Sequence, residues 1–457
     1  MGDRAPNKLY RNERVPGADQ FYPANDPAIG AAFPATTHPR NARLPTLFQP
    51  LTVRTTTFKN RIWVSPMCQY SSDGGHATDW HLVHIGGFAT RGAGAILLEA
   101  TAVSPEGRIS PEDAGLWTDT QIAPLKRIVD FCHAQGCVVG VQLAHAGRKA
   151  STAAPWVRAR RARDAGEGVP VSQVAQREEG GWPDEVVGPS DIPFSDMFPK
   201  PTPLTLDGIQ RVVDAFAEAT ERCKRVGFDF IEIHGAHGYL LSSFLSPLSN
   251  HRTDAYGGPL SNRLRLPLEV AKRVREVWGA EKPLFFRLSA TDWAAGPEQD
   301  PQSGAWRSWG IEQSTVLSRA LAEAGIDLVD VSAGGNWAAQ QIPLGPGYQV
   351  PFAAAIKHAV PGLLVGAVGL ITDPQQAEDV LKDGKADVVF LARELLRHVD
   401  WPLHAARALG VAVHPAVQYE RAWGGDAGLS GALDCPTTAT EEELPAGRDW
   451  PITPSAA

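Results

Sequence analysis

The chain has few means of cross-linking itself. Its 457 residues include five cysteines, at 68, 132, 137, 223 and 435, an odd number with no C-x-x-C pair. That spacing argues against a disulfide framework, a zinc ribbon and an iron–sulfur cluster, and points to a reducing, cytoplasmic setting. No apolar run approaches the ~20 residues of a bilayer-spanning helix. The opening stretch MGDRAPNKLYRNERVPG lacks the apolar centre of a secretion signal, so no membrane partner is expected. Positive charge is also short, with 43 Lys plus Arg against 51 Asp plus Glu and a net charge of -8. Such a surface repels a phosphate backbone, so nucleic acid is not an expected partner. No G-x-G-x-x-G opens a helix after a strand; GAGAIL at 92–97 lacks the third glycine and runs into a strand, so a Rossmann module is absent. No H-E-x-x-H occurs either.

With 43% hydrophobic residues, 44 Gly and 37 Pro, the chain can bury a large core. Residues 1–42 and 424–457 are rich in small and polar residues without periodicity, and read as irregular extensions of a domain at 43–423. Within that domain short β-branched runs alternate with amphipathic segments. The strand candidates are 61–67, 94–103, 137–144, 227–235, 283–290, 326–334, 363–370 and 386–393. The helical patterns are 80–91, 121–135, 206–226, 264–278, 311–324, 352–359, 374–382 and 395–408, several ending at a C-cap glycine such as Gly136, Gly227 and Gly325. Eight βα units predict an α/β fold, a (β/α)8 TIM barrel with insertions. The largest insertion, 151–188, contains RARRAR at 158–163 and reads as a solvated loop that is placed to act as a lid.

In such a barrel the chemistry sits at the C-terminal strand ends, so the polar residues there form one constellation. Strand one ends in Ser65, Pro66, Met67, Cys68, Gln69 and Tyr70; strand two in Glu99, Ala100 and Thr101; strand three in Gln142 and His145; strand four in His234, His237 and Tyr239. Strand five carries Arg287, strand six Ser332, strand seven Gly366 and Gly369, and strand eight Arg393. Glycine and arginine on the last two strands suggest a phosphorylated ligand. Each residue also has a bland reading. The histidines could be structural, as a helix cap would explain His81 and His84; they could also hold zinc in a barrel hydrolase if His145, His234 and His237 converged. Cys68 could be a buried hydrophobe. Arg287 within FFRLSA is harder to dismiss, because a cation inside a barrel needs an anionic partner.

Taken together the motifs resemble the old yellow enzyme family of flavin-dependent ene-reductases, and its thermophilic-like subgroup in particular. The matching runs include SPMCQYSSDGGHATDWHLVH (65–84), VQLAHAGRKAS (141–151), FDFIEIHGAHGYLLSSFLSPLSNHRTDAYGG (228–258), FRLSATD (286–292), GAVGLIT (366–372), FLARELL (390–396) and QYERAW (418–423), in order from about residue 43 to 423. The resemblance implies tightly bound FMN, reduced by NAD(P)H that visits the same cavity, and small activated alkenes as substrates. Arg287 and Gln142 would meet the pyrimidine edge of the flavin, and Ser65, Pro66, Met67 and Ala100 would line its ring. Gly369, Ala392 and Arg393 would hold the phosphate, with Ala392 where glycine is common and tolerable only at negative φ. Cys68 would tune the flavin, and Tyr70 would close the substrate side. His234 and His237 would donate hydrogen bonds to the substrate carbonyl, hydride would pass from flavin N5 to the β-carbon, and Tyr239 would protonate the α-carbon. Arg421 would reach a neighbouring subunit's site in a homodimer or higher homo-oligomer.

Overall fold

The computed structural model describes residues 25, 27–296 and 298–423; the tail at 424–457, with Cys435, lies outside the described residues. A short hairpin, β1 (Leu51–Val53) and β2 (Thr56–Phe58), precedes the first barrel strand β3 (Ile62–Val64). Then follow α1 (Asp79–Ala89), β4 (Ala95–Ala102), α2 (Ile122–Ala134) and β5 (Val138–Ala144). The insertion contains α3 (Pro155–Ala165) and the two-residue strands β6 (Val187–Gly188) and β7 (Thr202–Pro203). The chain continues with α4 (Leu206–Val226), β8 (Phe230–Gly235), α5 (Leu240–Leu245), α6 (Leu260–Arg263), α7 (Arg265–Trp278), β9 (Leu284–Ser289), α8 (Ile311–Glu323) and β10 (Leu328–Ser332). It ends with α9 (Val350–Ala359), β11 (Leu364–Ala367), α10 (Pro374–Lys382), β12 (Val388–Leu391), α11 (Arg393–Arg397), α12 (Trp401–Ala408) and α13 (Glu420–Trp423). The eight longer-range strands close into an all-parallel barrel in the order β10-β11-β12-β3-β4-β5-β8-β9.

Local chemistry explains the elements. In α4 the Thr205 side chain accepts from Gly208 N, a buried stripe of Ile209, Val212, Phe216 and Cys223 faces the barrel, and Gly227 stops the helix at φ 96. Alternation on the strands sends Trp63, Phe230, Phe285 and Phe390 inward, and Phe58 of the hairpin packs on Trp63 from below at 4.3 Å between ring centroids. That aromatic plug seals one end of the barrel and leaves the C-terminal end for chemistry.

Two expectations need correction. The pattern at 395–408 is two helices, because Pro402 at the start of α12 has no N–H to continue a ladder from α11. RARRAR is helical rather than a loop: Pro155 sits at the first position of α3, alanine and arginine favour helix, and Gly166 ends it at φ 94. Its solvation is also only partial, as Arg158 and Arg161 are half-buried.

The described part of the N-terminal extension is tied to the far end of the chain. Buried Asn41 donates to the carbonyls of Phe33 and Ala412, both at 2.8 Å, and accepts from Ala412 N at 2.9 Å. Ala32 bridges Val413, and Asn25 accepts from Val417 N at 2.9 Å. Asn41→Ala should lower the unfolding free energy by about 1–3 kcal/mol, since it leaves the buried Ala412 N–H and the half-buried Phe33 carbonyl without their partner while the Ala412 carbonyl keeps the Phe33 N–H. Denaturant titration checks this, and a change within error would show that the clasp contributes little.

Candidate active site

Above the aromatic plug the same inward register carries polar residues. Two positions on from Phe230, Phe285 and Leu328 come Glu232, Arg287 and Asp330, and two further on come His234, Ser289 and Ser332. Gln142 of β5 stands opposite Glu232 and donates to its Oε1 at 2.7 Å. Arg287 Nε lies 3.1 Å from Asp330 Oδ2, inside the barrel and out of line for a hydrogen bond. Burial pushes the carboxyl of Glu232 well up, with Asp330 adding to the effect, and lifts that of Asp330 to about 6 against the pull of Arg287. The Ser65 hydroxyl is likewise buried without a partner. Several polar groups at the mouth of the barrel are thus directed at something other than protein.

His234, His237 and Tyr239 leave the end of β8 together. The His234 ring centroid is 5.2 Å from that of His237 and 5.0 Å from that of Tyr239, each nearly perpendicular. His237 holds the left-handed conformation at φ 60, kept there by Ser289 Oγ, which accepts from its N–H at 2.9 Å. Gly238 follows at φ 72 against the Gly335 carbonyl, where a Cβ would lie only 2.3 Å away. Burial, then Arg287, drives both imidazoles well below their usual range, so they are neutral. His234 Nδ1 accepts from Ala236 N at 3.3 Å, which places its proton on Nε2. His237 Nε2 lies 2.7 Å from Ser332 Oγ, whose own proton goes to Gln349 Oε1 at 3.2 Å. Burial, with Tyr70 and Cys68 nearby, pushes the Tyr239 phenol well up and keeps it protonated.

On the opposite wall β4 carries a bulge. The register with β5 shifts between Leu98 and Ala100, so Glu99 turns away from the barrel while Ala100 returns to the inside. Glu99 Oε1 meets His81 Nε2 at 2.9 Å, and its Oε2 accepts from Gln69 N. His81 therefore has a structural role and caps α1 with Thr78, which fixes the loop that carries Cys68 and Tyr70. Tyr70 stands at φ 49 with its ring 5.6 Å from that of Trp156 on α3. Burial, then Asp113, raises the Cys68 thiol well above its ordinary value, so it is no thiolate. Asp113 was not anticipated: it accepts from Ile109 N at 2.8 Å and from Ser110 Oγ at 2.9 Å, and burial followed by Glu99 raises it to about 7.

Pro66 and Met67 lie on the same loop as Cys68, and Gln69 Nε2 donates to the Met67 carbonyl at 2.9 Å. Across the mouth Gly369 has φ 118 and no room for a Cβ beside Gln349 and Tyr348. Ala392 adopts φ -112, the negative value its side chain requires, and leads into the exposed Arg393 at the start of α11. Arg393 acts electrostatically on the Tyr348 phenol, which puts glycine and arginine on one side of the opening.

Two candidates fall elsewhere. Among the described residues no three His, Cys, Asp or Glu side chains are gathered for a metal. His145 does not join the other histidines: its Nδ1 accepts from Gly147 N at 3.0 Å and its ring packs against Gly107. Arg421 is exposed on α13, next to Tyr419, whose ring lies 4.0 Å beneath the Arg91 guanidinium. Arg91 follows α1 just before β4 begins, so Arg421 sits at the plugged end, away from this chain's own opening. Lys149 was missed altogether. It is a lysine inside the AGRKAS run, and its Nζ donates to the carbonyls of His237, at 2.9 Å, and Gly335.

A parallel barrel with a buried arginine, neutral histidines and orphaned polar atoms at its mouth has the build of a barrel enzyme whose opening receives a polar ligand. Residues 46–410 match the NADH:flavin oxidoreductase / NADH oxidase family. The chain belongs to that family. It is 43% identical over 421 residues to an NADH:flavin oxidoreductase of Gibberella zeae, covering 90% of this chain and 96% of the relative. It is 43% identical over 379 residues to the NADPH dehydrogenase of Geobacillus thermodenitrificans, covering 82% and 98%. Among solved structures, morphinone reductase superposes with a TM-score of 0.63 at 26% identity, covering 81% of this chain and 91% of that one. The protein is accordingly an NAD(P)H-dependent flavin oxidoreductase of the old yellow enzyme family, and FMN is its cofactor. Among the described residues no helix is long and apolar enough to cross a membrane.

Asp113 provides a test of this electrostatic picture. Its folded carboxyl keeps a proton up to about pH 7, while the unfolded chain loses it near the ordinary 3.8. The stability it contributes is therefore fully present at low pH and lost as pH rises from about 4 to 7. Relative to the wild type, Asp113→Asn should gain stability across that window in urea titrations. A difference independent of pH would contradict the raised carboxyl.

Proposed function

We propose that the enzyme reduces the C=C bond of α,β-unsaturated carbonyl compounds, a class that includes enones, maleimides and quinone-like acceptors. The observation that carries this reading is the cluster of two neutral imidazoles and one protonated phenol around a single opening above Arg287. When bound, FMN accepts two electrons from the reduced nicotinamide and supplies hydride to the alkene. Arg287 and Gln142 would hold its pyrimidine edge, Ser65, Pro66, Met67 and Ala100 its ring, and Gly369, Ala392 and Arg393 its phosphate. The orphaned Ser65 hydroxyl and the poorly aligned Arg287 Nε fit a polar ring edge at that level.

The chain's own residues do the rest. His234 donates from Nε2 to the substrate carbonyl, and His237 exchanges Ser332 for the same oxygen. Two donors aimed at one oxygen draw electron density from the alkene and make its β-carbon electrophilic. Tyr239, which keeps its proton at neutral pH, delivers it to the α-carbon. Cys68 and Tyr70 bound the opening on the other side, and Trp156 of α3 leans on Tyr70 as part of a lid over it.

Tyr239→Phe should slow alkene reduction by about 10²- to 10⁴-fold while flavin reduction by NADPH stays near the wild-type rate. Stopped-flow measurement of the two half-reactions separates them, and equal loss in both would remove Tyr239 from the role of acid.

The same reading extends to assembly, in the cytoplasm and as a homodimer or higher homo-oligomer of the thermophilic-like subgroup. Tyr419, Arg421 and Trp423 are an aromatic and arginine set of the kind that anchors interfaces, and Arg421 has no place in its own chain's opening. Arg421→Ala should raise the substrate KM without releasing FMN. A monomeric wild-type enzyme with full activity at assay concentration would exclude a shared site.

A further inference from the structure

Beyond Tyr239 the opening widens into a cavity of about 480 Å³ under the 151–188 insertion. Its walls include Tyr70, Tyr239, Phe194, Phe198 and two cations, Lys149 and Arg158, with no acidic residue among the lining side chains. Arg158 is the first arginine of the RARRAR run. Its Nη1 donates to Gln173 Oε1 at 2.8 Å, and its buried Nε has no partner. Its neighbour Arg161 takes Glu179 and the carbonyls of Ser172 and Val174, so the nearby acid is already committed. Lys149 Nζ uses two protons on the His237 and Gly335 carbonyls and lies 3.9 Å from the Phe194 ring centroid. The two side chains are close enough for Arg158 to depress the Lys149 ammonium. Like charges drawn together with no counter-charge are costly unless an anion enters with them.

We propose that Lys149 and Arg158 form an anion subsite that receives a carboxylate or phosphate at the far end of a molecule whose reactive end lies at His234 and His237. This rests on the alkene-reductase reading and narrows it to ligands carrying a negative group. The source is either an acidic substituent on the alkene or the 2′-phosphate that distinguishes NADPH from NADH. The groups facing Lys149 from the surrounding elements are Arg148 on its own turn, Arg158 on α3, Tyr239 before α5, His234 at the end of β8, His237 after it, and Tyr70 on the far wall. Burial, then Arg148 and Arg158, brings the Lys149 ammonium down to about 7. Anion binding needs the charged form, so affinity should fall as pH rises past about 7 and persist at a lower level through Arg158. Removing Arg158 takes away a like charge and should move that falling limb to higher pH, a displacement that a merely structural role for Arg158 would not produce.

The test uses the FMN-loaded enzyme and a matched pair, a cyclohexenone with a ring carboxylate and its methyl ester, with the saturated ketone of each for calorimetry. The wild type should bind the saturated acid about 10- to 100-fold more tightly than the ester if a carboxylate substituent is the source. It should show a similar preference of NADPH over NADH in flavin reduction if the 2′-phosphate is the source. Arg158→Gln should erase most of whichever preference exists and shift the pH limb upward, Arg158→Lys should keep part of it, and Arg158→Glu should reverse it. A wild type indifferent to charge in both pairs would overturn the subsite. Equal turnover of acid and ester with no NADPH preference removes the subsite and leaves alkene reduction standing. No turnover of either, with calorimetry still favouring the acid, removes alkene reduction and leaves the subsite.

Discussion

Arg287 is a guanidinium inside a barrel, and the upper half of the structure is arranged around that fact. An unpaired buried charge is among the costliest features a fold can carry, so neighbouring strands must answer it. Asp330 does so from β10 at 3.1 Å, and Glu232 and Gln142 extend the polar layer around the wall. Burial raises both carboxyls, but Asp330 is lifted only to about 6 and carries the charge that faces Arg287 at neutral pH, whereas Glu232 is pushed well up and keeps its proton. Burial, with the positive field of Arg287 added to it, keeps His234 and His237 neutral.

The geometry that delivers these groups is the two-residue period of the strands, interrupted once. Seven walls of the barrel hold their alternation from the aromatic plug to the rim. β4 alone inserts a residue, at Glu99, and this has consequences on both sides. Outside, Glu99 gains His81 and the Gln69 N–H and so anchors the loop of Cys68 and Tyr70; inside, Ala100 returns a small side chain to the barrel wall. One bulge thus serves both the positioning of a loop and the shape of the barrel interior.

Alternation and helix caps were legible in the residues because both are local. The eight strands, the helix at Leu206–Val226 and the C-cap glycines follow from period and from φ requirements that can be read a few residues at a time. The gathering of His234, His237 and Tyr239 was legible for the same reason, since they leave a single strand end. What could not be read was long-range. Glu99 with His81 depends on a register shift, Asp113 with Cys68 on how two loops fold over each other, and Lys149 on a turn that crosses to the His237 carbonyl. RARRAR misled for a related reason: charge suggested a solvated loop, whereas Pro155 and the alanines make a helix, and Arg158 on it lines the cavity.

That position of Arg158 bears on how specificity is distributed over the fold. Groups at the strand ends are held by hydrogen bonds to the barrel: Ser289 to the His237 N–H, Ser332 to its ring, Lys149 to its carbonyl. Together they maintain a left-handed histidine that would otherwise relax, so the reacting end of the opening is rigid. The far end is built differently, from a helix in an insertion that meets the barrel through Trp156 on Tyr70 and Arg158 on the cavity wall. A rigid inner end and a separately carried outer wall allow the lining of the cavity to change with α3 while the residues at the strand ends stay in place.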